Sequence, residues 1–149
     1  TSFVLYFCTA LSSFVVDRVT KIWALHALAA GDVAVLPGFK LHLVFNTGIS
    51  FSLFANHPLV TSTALIAIVT AVTLGLVLIW YHYALPTRLS QVGYGMILGG
   101  AVGNLYDRLT HGAAIDFIDW YCGVWHWPTF NGADTFIVLG FMVLIWEMV

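Results

Sequence analysis

Long apolar runs separated by short polar segments organise this chain. Residues 2–24 are apolar until Asp17, Arg18 and Lys21. Residues 59–83 are apolar on every side, which predicts a helix that faces lipid or is packed all round. Residues 89–110 end on His111-Gly112, a helix stop, and a fourth run covers 131–149. A helix needs about 20 mostly apolar residues to cross a bilayer. The pattern therefore predicts an all-α membrane protein of four transmembrane helices, with residues 1–149 forming one integral membrane unit. Gly99 and Gly103 stand four apart, a spacing that lets helix backbones approach closely.

Residues 31–56 follow another period. Phe39, Leu41, Leu43 and Phe45 alternate with Lys40, His42 and Val44, and Ile49, Phe51 and Leu53 alternate with Ser50 and Ser52. Asn46-Thr47-Gly48 lies between them with turn residues. This predicts a small β-ribbon outside the bilayer core, because open strand edges are not tolerated in lipid. Phe117, Trp120, Tyr121, Trp125 and Trp127 predict an aromatic-rich interfacial loop or helix over 116–130, since Trp and Tyr favour headgroup depth.

Composition strengthens the membrane reading: 60% of residues are hydrophobic and 8% charged, against about 25% charged in soluble domains. A net charge of −2 without a basic run argues against a nucleic-acid partner. Cys8 and Cys122 suggest neither a disulfide framework nor a metal site. The first run lacks the basic start and cleavage site of a removable signal peptide. Thr1 and Val149 suggest that both ends are trimmed. Arg88 places its short loop in the cytoplasm, whereas Arg18, Lys21 and Lys40 argue the other way.

Charged groups in so apolar a chain are expensive, costing at least ~2.5 kcal/mol near the bilayer centre, and they mark candidate chemistry. Asp17, Thr20 and Lys21 share a helix face, where Asp and Lys can pair. Asn104, Asp107 and Arg108 repeat that spacing, with an Arg grip on Asp107 expected to make it a scaffold. The third group is Asp116, Asp119, Asn131 and Asp134. Asp134 fits the positive end of a helix, and Asp119 reads as a solvated loop acid. Neighbouring carboxylates that share a proton can work as acid and base, activating water against an amide. On that reading Asp134 starts as the base and Asp116 as the acid. His111 and His126 show no ligand spacing, so no metal is expected. The rival reading is a small ion or solute transporter subunit with intramembrane Asp and Arg.

Five segments in order carry a resemblance: Asp17-x-x-Thr20-Lys21, Asn46-Thr47-Gly48-Ile49-Ser50-Phe51, Gly103-Asn104-Leu105-Tyr106-Asp107-Arg108, Ile115-Asp116-Phe117 and Phe130-Asn131-x-Ala133-Asp134. The chain resembles the lipoprotein signal peptidases (signal peptidase II) over essentially its whole length. The resemblance implies an aspartyl endopeptidase that cuts bacterial prolipoproteins just before a diacylglyceryl-modified cysteine. It implies catalytic roles for Asp116 and Asp134, and supporting or substrate-binding roles for Asp17, Lys21, Asn46, Gly48, Asn104, Asp107, Arg108 and Asn131. It further implies no cofactor, inhibition by globomycin-type peptides, contact with membrane lipids, and a monomer. The expected location is the bacterial cytoplasmic membrane, with both termini cytoplasmic, the site near the periplasmic face, and Arg18 and Lys21 serving the site rather than topology. Ile49 and Ser50 depart from the two alanines often found there, and Gly132 from a larger apolar residue.

Overall fold

This computed structural model describes residues 2–48 and 87–148, together with residues 68, 71, 72, 75 and 79, which are helical. Most of the expected second span, and the Ile49–Leu53 half of the expected ribbon, lie outside the described residues. The elements are α1 (Ser2–Ala27), β1 (Val33–Leu36), β2 (Phe39–Asn46), α2 (Arg88–His111), β3 (Ala114–Cys122), β4 (Trp125–His126) and α3 (Gly132–Met148). Among the described residues no helix is long and apolar enough to cross a membrane. The polar groups of the site occupy the ends of α1 and α2 and the start of α3.

Glycines let α2 pack between the other two helices. A methyl group added at Gly95 would lie 2.8 Å from Thr9 Cβ, and one at Gly99 or Gly103 would run into Ala10 O or Asp17 Oδ2. On the opposite side, a methyl at Gly93 would lie 2.9 Å from the Leu144 side chain, and one at Gly140 would lie 2.6 Å from Gly93 O. The small-residue spacing noted in the sequence is thus an interhelical seam, and it brings Asp17 against Gly103. α2 starts at Thr87, whose hydroxyl accepts the Ser90 N–H, and stops at Gly112, whose positive φ lets its N–H reach Arg108 O.

The β structure is larger than the sequence pattern predicts. Four antiparallel strands lie in the order β1-β2-β3-β4. The tight turn between β1 and β2 is at Pro37-Gly38, where Gly38 takes φ 84°, while the strand expected after Asn46-Thr47-Gly48 lies outside the described residues. The aromatic stretch expected as a loop or helix is instead β3 and β4. Polar and apolar residues occur on both faces of β3, because one face meets the site and the other meets Ala24 and Leu28 through Phe117. A clean period-2 signal is therefore lost. β2 pairs with β3 through Val44 opposite Asp116 and Lys40 opposite Asp119, with an extra residue in β2 between Leu41 and Val44. Phe130 then ties the start of α3 to the sheet, its carbonyl accepting the Phe117 and Ile118 N–H groups.

Candidate active site

Five elements converge on one buried polar cluster. β3 contributes Asp116, and the end of β2 contributes Asn46 as its diagonal neighbour. Asn46 Nδ2 donates to Asp116 Oδ2 at 2.8 Å, and Asn131 Nδ2 donates to Asp116 Oδ1 at 2.6 Å. Asn131 caps α3: its Oδ1 accepts the Asp134 N–H at 3.0 Å. Asp134 therefore sits in the first helical turn, where the dipole favours a carboxylate. Asn104 Nδ2 donates to Asp134 Oδ1 at 3.0 Å, while Asn104 Oδ1 accepts from Asn131 Nδ2 at 3.0 Å. Two asparagines thus link two fully enclosed carboxylates, Asp116 being 0% and Asp134 2% exposed.

The electrostatics differ across the cluster. Burial pushes the Asp116 carboxyl up to about 7, and the Asp134 charge adds to the rise. The amides of Asn46 and Asn131 oppose it by bonding the ionised form. Asp17 and Asp107 face cations instead. Lys21 Nζ lies 2.8 Å from Asp17 Oδ2 and 2.7 Å from Asp107 Oδ2, and it donates to Asn104 Oδ1 at 3.0 Å. Asp17 Oδ1 also accepts the Ala133 N–H at 2.8 Å, satisfying a second free donor of the α3 terminus. Asp107 Oδ2 accepts the Ile115 N–H at 3.2 Å, holding the residue before Asp116.

The expected Arg108 grip on Asp107 is not what the structure holds. Neighbouring residues on a helix point about 100° apart. Asp107 faces α1, where Lys21 and Arg18 hold it. Arg108 faces the β2 end, donating to Gly48 O at 2.5 Å and to Asn104 O at 3.2 Å. Its Nε–H has no partner among the described residues, and Asp134 and Asp116 lie within range of its charge. Gly48 is itself placed by an N–H bond to Asn46 Oδ1 at 2.8 Å.

Asp119 does not join the cluster. An odd offset from Asp116 turns it to the other sheet face, where it is buried and bonds His126 Nδ1 at 2.8 Å, with Lys40 Nζ at 3.6 Å. Arg18 is the residue that motif reasoning left without a partner; its reach to Asp107 crosses between helices, which spacing on one helix does not reveal. No group of His, Cys, Asp and Glu among the described residues could hold a metal ion. Beside Asp134 opens a cavity of about 490 Å³, lined mainly by Trp120, Trp125, Trp127, Phe130, Val138 and Leu139.

Two solved structures described as a bacterial membrane enzyme share the fold. One matches with a TM-score of 0.84 at 24% identity, covering 97% of this chain and 92% of its own. The other has a TM-score of 0.82 at 23% identity, covering 96% and 86%. A lipoprotein signal peptidase of Serratia proteamaculans is 38% identical over 89% of this chain and 79% of its own length. One from Wigglesworthia glossinidia brevipalpis is 35% identical over 92% and 89%. The family described as signal peptidase (SPase) II matches residues 9–149. With the sequence likeness covering nearly the whole chain, the protein belongs to the signal peptidase II family.

Proposed function

We propose that this chain is a membrane aspartyl endopeptidase that removes signal peptides from diacylglyceryl-modified bacterial prolipoproteins, cutting just before the lipid-bearing cysteine. Family membership and relatives named lipoprotein signal peptidase support the activity, and nothing in these comparisons favours a transporter. The observation that carries the mechanism is the linkage of Asp116 and Asp134 through Asn131 and Asn104, with Asp116 titrating near neutrality.

In the proposed reaction Asp134, ionised at the helix terminus, takes a proton from water. The resulting oxygen attacks the scissile carbonyl carbon, while Asp116 donates its proton to the carbonyl oxygen. Collapse of the tetrahedral intermediate breaks the C–N bond, and the leaving nitrogen receives a proton from the pair. In this scheme one proton, carried by Asp116 at the start, serves both residues. The Nε–H of Arg108, without a partner among the described residues, is available to a substrate carbonyl. Asn46, Gly48, Asn104 and Asn131 hold the carboxylates and Arg108 in place; Asp17, Lys21 and Asp107 fix the helix ends around them. No cofactor takes part.

Chain direction supports a four-crossing unit over 1–149. α1 and α2 both end at the site and α3 leaves it, so α1 and α2 run in one direction and α3 in the other. Both termini then lie on one side, the cytoplasmic one, and the site lies at the periplasmic face. The aromatic cavity beside Asp134 suits a lipid-bearing substrate and the apolar tail of a globomycin-type inhibitor. A single chain supplies every group in the scheme.

Purified protein in detergent should cleave a diacylglyceryl-modified prolipoprotein and leave the unmodified precursor at least ~10-fold slower, with chelators changing neither rate. Equal cleavage of both forms would contradict the lipid requirement.

A further inference from the structure

The cluster contains more charge than two-carboxylate chemistry requires. α1 supplies Asp17, Arg18 and Lys21, α2 supplies Asp107 and Arg108, β3 supplies Asp116 and α3 supplies Asp134. Asn46 faces the pair from β2, and Asn104 and Asn131 lie between its members. Arg18 is the outlying member. Its side chain is 12% exposed, it donates to Asp107 Oδ1, and its guanidinium rests 4.7 Å over the Tyr106 ring. The other oxygen of Asp107 takes Lys21 and the backbone N–H next to Asp116.

Charge balance assigns this arrangement a purpose. With one proton on Asp116 and Asp134, the four carboxyl groups carry three negative charges, matched by Arg18, Lys21 and Arg108. Without Arg18 a neutral cluster needs a second proton, and where the aspartyl pair takes it up the pair has no base left. Net charge in a buried site is costly, so neutrality selects the protonation state.

We propose that Arg18 is a positioning residue for the aspartyl pair: acting through Asp107, it completes the positive charge that keeps one proton on the pair rather than two. This rests on the peptidase reading above.

The test is the pH dependence of cleavage of a diacylglyceryl-modified prolipoprotein. At an effective dielectric of about 20, loss of a charge from such a cluster moves the acid limb by roughly one pH unit. Arg18→Gln should shift that limb upward, costing ~10-fold in kcat at the acid side while KM changes little. Arg18→Lys should restore the limb. The double variant Arg18→Gln/Asp107→Asn, which removes one charge of each sign, should also return it. An Arg18→Gln enzyme that is slower but keeps the wild-type limb overturns the proposal. Should Arg18→Gln not fold, Asp107→Asn alone must move the limb downward, and a fixed limb overturns the proposal there too.

A second readout needs no substrate. Carbon NMR of aspartate-labelled protein should show the Asp116 midpoint rising in Arg18→Gln. An unmoved midpoint refutes the charge role even in an active enzyme. A midpoint that rises in Arg18→Gln, alongside a wild-type chain that cleaves nothing, would sink the peptidase reading and leave the charge role standing.

Discussion

Asp17 and Asp107 on one side of the cluster, and Asp116 and Asp134 on the other, are the same residue type in the same buried setting with different partners. The first two face Lys21, and Asp107 also faces Arg18. The second two accept from asparagine amides. A cation holds a carboxylate by charge as well as by hydrogen bonding, whereas an amide donor supplies the hydrogen bond alone. The cation-held acids therefore serve as rigid joints between α1, α2 and α3. On the amide-held side, burial lifts the Asp116 carboxyl up to about 7.

The comparison breaks most visibly at Lys21. It lies between Asp17 and Asp107 and is fully buried. Lys21→Met leaves two buried carboxylates short of a partner, a loss expected to be about 3–5 kcal/mol. Denaturant unfolding in detergent measures it, and a loss under ~1 kcal/mol would deny the joint role.

The amide-held side should respond to pH instead. Asp116 binds its proton with a midpoint of about 7 in the folded chain, raised from 3.8. The folded state therefore holds that proton more tightly than the unfolded state. The resulting stabilisation is complete below about pH 4 and is lost as pH rises through about 7, a fall of a few kcal/mol. Asp116→Asn should remove this part of the slope in unfolding measured from pH 4 to 8. An unchanged slope would show that Asp116 is not the group responsible.

A smaller effect sharpens the packing side of the contrast. Gly103→Ala places a methyl against the Asp17 carboxylate. A cost of about 1–3 kcal/mol is expected for overpacking, with the pH slope from Asp116 retained. Tolerance of alanine without loss of melting temperature would mean that the seam is looser than drawn.

α1, α2 and α3 were legible in the sequence because their apolar runs are long and stops such as His111-Gly112 are chemically explicit. The Asp17–Lys21 pair was legible because one helix turn brings its members together. β3 was missed because it is covered on both faces, so Ile115, Asp116, Phe117 and Ile118 show no alternation. The Arg18–Asp107 contact, and the turn of Arg108 toward Gly48, depend on how α1 and α2 are rotated against each other. Local spacing carries no information about that rotation. The asparagine links between Asp116 and Asp134 are likewise tertiary: the motifs named Asn104 and Asn131, but not the order in which they connect.

The role proposed for Asp116 and Asp134 is acid–base assistance to the water that cleaves the peptide bond. Its most direct test is the single-turnover cleavage rate of a diacylglyceryl-modified prolipoprotein at pH 7 by Asp116→Asn and Asp134→Asn, each checked for wild-type folding. General acid–base catalysis contributes about 10²–10⁴-fold, so each variant should lose at least ~10²-fold. Cleavage by either folded variant within ~3-fold of wild type would contradict the claim.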